Sequence, residues 1–218
     1  MFTTKMAPVG TALWTAALVT VATLLVGCGG GDAQPNVPGT LTFVAHGKVR
    51  SMEGDGNLIG GVLPVQIAIG DDVTYEFAFR SDAIDEAPFD PKHGMYVVQS
   101  ISMKIGGNTA VTRLPPHLGH IHVTDNGPQF GVSYSVSNSS MTLPCSGSEC
   151  IDRQLGLQLT GAPTSYLPTD GLLTEPPNIA AFGNGQNDRI MLLTLTLQSG
   201  GTSTSANVWS TLETIVKK

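Results

Sequence analysis

The stretch Val73-Thr74-Tyr75-Glu76-Phe77-Ala78-Phe79-Arg80 decides the fold. Val73, Tyr75, Phe77 and Phe79 are apolar, while Thr74, Glu76, Ala78 and Arg80 are polar or small. A period of two with large β-forming residues on one side marks a strand with one buried face. The same period recurs outward in both directions. It runs through Leu41, Phe43, Ala45 and Val49, then Ile101, Met103 and Ile105. Phe130, Val132, Tyr134 and Val136 follow, then Leu155, Leu157 and Leu159, and Met191, Leu193, Leu195 and Leu197. Val208, Ser210, Leu212 and Val216 imply a closing strand. Turn signals separate these runs, among them Gly70-Asp71-Asp72, Gly106-Gly107-Asn108 and Asp125-Asn126-Gly127-Pro128.

Composition agrees. The 218 residues hold 26 Gly and 14 Pro, too much turn chemistry for a helical bundle. Charged residues make up 13% and the net charge is −6, which excludes a basic nucleic-acid footprint. Outside the N-terminal segment no window has a clean helical period, although Ile179 to Phe182 could form one helical turn. Nine to eleven short strands predict an all-β domain over residues 40–218, built as a single antiparallel two-layer β-sandwich. A jelly roll or a closed barrel is the second choice.

The N-terminus reads as an address. The apolar run Thr11–Val26 follows the single charge of Lys5 and is shorter than the ~20 residues a spanning helix needs. It closes on Leu25-Val26-Gly27-Cys28, which resembles the lipobox of bacterial lipoproteins. That resemblance implies a signal peptide over residues 1–27, cleavage before Cys28 and a diacylglycerol on its sulfur. It also implies a cell-envelope location held through a lipid anchor, in the outer membrane because Gly29 rather than Asp follows the cysteine. Residues 28–39 then form a flexible tether.

A second resemblance covers about Phe43 to Leu197. The chain runs Phe43-x-x-x-Gly47-x-Val49, then Ile69-Gly70-Asp71-Asp72-Val73-Thr74-Tyr75-x-Phe77. It continues through Ser81-Asp82-Ala83 to Gly94-x-Tyr96, and later Pro176-Pro177-Asn178-Ile179 precedes Phe182. This is similar to the uncharacterised β-sandwich domains of exported bacterial proteins of the PEP-CTERM type. It implies a sandwich and brings no chemistry. The chain ends Ile215-Val216-Lys217-Lys218, without that family's sorting tail.

Candidate chemistry is sparse. In His117-Leu118-Gly119-His120-Ile121-His122 a strand places His120 and His122 on one face, where two imidazoles could grip zinc. His117 lies on a bend as a possible third ligand, with His46 and His93 in reserve. The competing reading has Ile121 and Val123 facing the core and both histidines facing solvent, with no cofactor. Carboxylates gather in turns at Glu53 and Asp55, at Asp71 and Asp72, and at Asp82, Asp85, Glu86 and Asp90, a pattern calcium favours. Glu53-x-Asp55-x-Asn57 starts like an EF-hand loop, but Leu58 and Pro64 occupy its required Gly and Glu positions. Outside the cytosol, Cys145 and Cys150 would close a small disulfide loop. No nucleophile elbow, phosphate loop or dinucleotide fingerprint occurs. The expected function is a non-catalytic binding or structural module with a protein or carbohydrate ligand. The alternative is a metal-dependent enzyme using His120 and His122.

Overall fold

The computed structural model describes residues 38–63, 65–112, 119–127, 129, 131–138, 141–142, 149–163, 165–166 and 171–218. Cys28, the signal segment, His117 and Cys145 lie outside these residues. The strands are β1 (Thr40–Gly54), β2 (Asp72–Arg80), β3 (His93–Ile105), β4 (Asn108–Thr112) and β5 (Gly119–Asp125). They continue with β6 (Val132–Asn138), β7 (Met141–Thr142), β8 (Glu149–Ala162), β9 (Arg189–Ser199) and β10 (Thr202–Lys217). A short helix α1 (Gly56–Val62) and a 3₁₀ turn at Ile179–Ala181 complete the list.

The all-β expectation holds, and the two-layer sandwich does not. Strands β1, β2, β3, β5, β6, β8, β9 and β10 pair antiparallel in chain order, and β10 returns to β1. That closes an eight-stranded up-and-down barrel, with β4 and β7 as short extensions on β3 and β8. A sandwich would leave two sheets with edges. Here the ladder from Phe43↔Lys217 to Gly54↔Ala206 joins the two ends of one sheet. Closure needs local bending, and the register shifts at His46/Gly47, Val49/Ser51, Ala78/Phe79 and Val132/Tyr134 supply it. Period two is identical in both architectures, so it could not separate them.

Inward residues fill the lumen. Phe43, Tyr75, Phe77, Phe79, Tyr134, Leu155, Leu157, Leu159, Met191, Leu193 and Leu195 are fully buried. An eight-stranded barrel is just wide enough for side chains to occupy its interior. One end is plugged by α1, which starts at Asp55: its carboxylate accepts from the Asn57 amide at 2.8 Å. Leu58, Ile59 and Leu63 bury there, and the Asn108 side chain clamps Val65 through both backbone groups. The opposite end is covered by the β8–β9 connection, where Tyr166 packs edge-on against Phe182 at 5.3 Å. The helical turn expected near Ile179 is present; α1 lies where the sequence reads as a turn. Its seven residues are too few to display a period.

Two lumen tyrosines differ in one respect. The Tyr75 hydroxyl donates to the Val136 carbonyl at 2.9 Å, whereas that of Tyr134 has no partner among the described residues. Tyr75→Phe should lower stability by about 1 kcal/mol, the worth of a buried hydrogen bond. Tyr134→Phe should be neutral or stabilising, because an unsatisfied hydroxyl costs about 1–3 kcal/mol to bury. Urea midpoints of the two variants test the contrast. Equal losses would show that the Tyr134 hydroxyl is satisfied.

Candidate functional site

Three outward histidines meet near the barrel end that carries the β2–β3 loop. Alternation in β5 sends Ile121 and Val123 into the lumen and turns His120 and His122 outward. Alternation in β3 turns His93, Met95 and Val97 outward beside them, with Met95 opposite His122 and Val97 opposite His120. His93 reaches His122 diagonally: Nε2 lies 2.9 Å from His122 Nδ1, with the rings stacked at 5.2 Å. His120 Nε2 lies 3.1 Å from Glu86 Oε2, and its ring is 5.9 Å from that of His122.

Glu86 is placed by the loop that follows β2. The bulge at Ala78/Phe79 precedes the end of the β2–β3 ladder at Phe79↔Val98. The chain turns at Ser81-Asp82 and returns to bridge Asp85 with Tyr96. Asp85 accepts from the Ala87 and Met95 amides, both at 2.8 Å, and the Glu86 amide donates to the Met95 carbonyl at 2.7 Å. Where β2 leaves β3 a cleft of about 790 Å³ opens, lined by Arg80, Ala83, Ile84, Glu86, Val97 and Gln99 among others. Glu86 therefore belongs both to the cleft and to the histidine cluster. Arg80 is committed to Asp82 through two contacts of 2.7 and 2.8 Å, so the cleft keeps an apolar floor with polar groups at its rim.

Half-burial, then the positive charge that His93 and His120 can carry, holds the His122 imidazole below its ordinary pKa of 6.5. The folded chain thus binds the His122 proton less readily than the unfolded chain. Its contribution to stability is complete above about pH 6.5 and is lost as pH falls through the lowered folded value. Urea unfolding should therefore show stability declining from pH 7 to pH 5, with a shallower decline in His122→Gln. An unchanged slope in the variant would place the titration elsewhere.

His117, the third residue of the metal alternative, lies outside the described residues, and the other two candidates face different partners, His120 facing Glu86 and His122 facing His93. Among the described residues no group of three or more His, Cys, Asp or Glu side chains is placed to hold a metal ion. The acidic turns are locally occupied: Asp55 caps α1, Asp71 accepts from the Ala68 amide, and Asp72 pairs with Lys48 at 2.8 Å. Cys150 sits half-buried at the start of β8. The sequence held His93 in reserve and counted Glu86 only as an acid in a turn. Alternation shows that His93 faces outward, but only strand register shows that it meets His122.

The described part of the chain is thus an up-and-down β-barrel with a filled lumen and an external cleft that shares Glu86 with the histidine cluster. Comparison with known proteins found no matching family model, no similar curated protein and no similar solved structure.

Proposed function

We propose that the chain is a lipid-anchored envelope protein whose barrel is a non-catalytic binding module, with the cleft beside Ala83 and Glu86 as its ligand site. The cleft carries this reading. Its volume of about 790 Å³ lies within the roughly 300–1,000 Å³ usual for small-molecule sites, and its mix of apolar floor and few polar groups is the usual one. The lumen is packed with aromatic and leucine side chains among the described residues. Val97 and Ala83 would take an apolar body, while Gln99 and the Glu86–His120 pair would orient a polar end. Attachment at Cys28, an outer-membrane location and a Cys145–Cys150 disulfide complete the proposal on the strength of sequence.

Titration with the neutral dye Nile red tests the site. Ala83→Trp fills the cleft and should weaken binding about tenfold or more, equivalent to ~1.4 kcal/mol. Dye affinity unchanged in this variant would remove the cleft from the proposal. Cys28→Ala tests the anchor separately and should move the protein from the membrane to the soluble fraction. The histidine cluster favours a second reading, a metal-dependent enzyme using His120 and His122. Stoichiometric zinc that survives mild chelation and is lost in His120→Ala/His122→Ala would put that reading first.

A further inference from the structure

Loop 81–92 presents its largest apolar side chains to solvent. Phe89 is 98% exposed and Ile84 is 84% exposed. The carboxylates of the loop turn to partners within the protein. Asp82 grips Arg80, Asp85 takes two backbone amides, Glu86 meets His120, and Asp90 accepts from the Lys92 amide at 3.0 Å. Backbone bonds Asp90 N to Ala87 O at 3.0 Å and His93 N to Asp90 O at 3.1 Å hold the turn around Phe89. The loop's carboxylates are engaged within the protein while Phe89 and Ile84 face outward.

The N-terminal segment joins the barrel at this loop. Gly39 N donates to Ser81 Oγ at 3.2 Å, Ser81 N donates to Gly39 O at 3.0 Å, and Thr40 Oγ1 donates to Gln99 at 3.1 Å. The run Cys28–Pro38 has eleven residues and spans at most about 40 Å when extended. Whatever holds Cys28 at a membrane therefore keeps this end of the barrel within that distance of it.

Resting on the lipid-anchor reading, we infer that loop 81–92 is a bilayer-docking surface that seats Phe89 and Ile84 in the interfacial region of a membrane. The anchor and the loop then act together, since tethering raises the local concentration of lipid and weak insertion suffices. Acids and bases mix at this end, where Lys217 pairs with Glu175, Lys218 with Glu76 and Arg80 with Asp82. Apolar insertion rather than attraction to anionic lipid drives the contact, and zwitterionic lipid is the partner. Docking would also set the neighbouring cleft close to the bilayer surface.

Full-length protein in phosphatidylcholine vesicles containing brominated lipid tests this. Phe89→Trp puts a reporter at the loop, and Ile69→Trp puts one at the opposite barrel end, where Ile69 is 70% exposed. After subtraction of wild-type emission, Trp at position 89 should be blue-shifted and quenched several-fold more strongly than Trp at position 69. Equal quenching at the two sites, or water-like unquenched emission at position 89, overturns the inference. Co-sedimentation of the wild type with vesicles reads the anchor independently. Sedimentation with an unquenched position 89 sinks the docking surface alone, as does a protein that binds another protein through Phe89 while leaving lipid untouched. Failure to sediment and to label with fatty acid sinks the anchor, and a reporter at position 89 unquenched at high lipid then sinks the inference as well.

Discussion

Gly47→Ala should destabilise the protein by about 3 kcal/mol or more, although it adds a single methyl group. A Cβ at this position would lie 1.8 Å from the Thr211 carbonyl oxygen and 2.8 Å from Met191 Cε. The first of these is backbone, so no rotamer change relieves it. Gly47 lies on the lumen side of β1, at the register shift where His46 pairs with Thr214 and Gly47 with Leu212. That ladder is the seam closing the barrel, and the bend there brings two backbones too close for any side chain. At roughly 2–4 °C per kcal/mol for a chain of this size, the melting temperature should fall by about 6–12 °C. Gly60→Ala is the matched control. Gly60 lies in α1 with nothing within 4 Å of an added Cβ, and removing helical glycine should stabilise by about 0.5–1 kcal/mol. Thermal scans of both variants by circular dichroism decide it. A Gly47→Ala protein melting with the wild type would mean that the seam is not close-packed.

Strand identity was written in the alternation, and most of the lumen follows from it. Phe43, Tyr75, Phe77, Met103, Leu157 and Leu193 are apolar in the right phase, and all are buried. At Trp209 phase rather than size decides the face. Its bulk argues for the core, yet Val208 and Ser210 hold the inward positions on either side and Trp209 lies half-buried outside. Closure was less legible, because alternation reports which face is buried and not how far a sheet curves. The β1–β10 pairing joins residues from 152 positions apart at Gly54 and Ala206 to 174 at Phe43 and Lys217, and no local pattern encodes it. The site was half visible for the same reason. His120 and His122 share a face by strand geometry, but His93 and Glu86 reach them only through register and through the turn that follows β2.

Phe77→Ala is expected to give a loss of about 3–5 kcal/mol, the usual range for emptying an aromatic site in a core. Phe77 is fully buried, and its ring sits 5.6 Å from Phe43, 6.1 Å from Tyr75 and 6.0 Å from Phe79. Three strand faces cannot collapse into the vacated volume without breaking ladders to β1 and β3, so the cavity should persist. Ring–ring contacts of this kind add about 0.5–1.5 kcal/mol each beyond area burial. Against a typical total stability of 5–15 kcal/mol, the variant should be folded but close to its limit. Phe89→Ala removes the same atoms from a site that is 98% exposed, and should change stability by no more than about 0.5 kcal/mol. Urea unfolding with a common m-value would show Phe77→Ala at a much lower midpoint and Phe89→Ala at the wild-type midpoint. Comparable losses would mean that Phe89 is covered in the folded protein. It would then be part of the barrel's own packing and unavailable to a membrane.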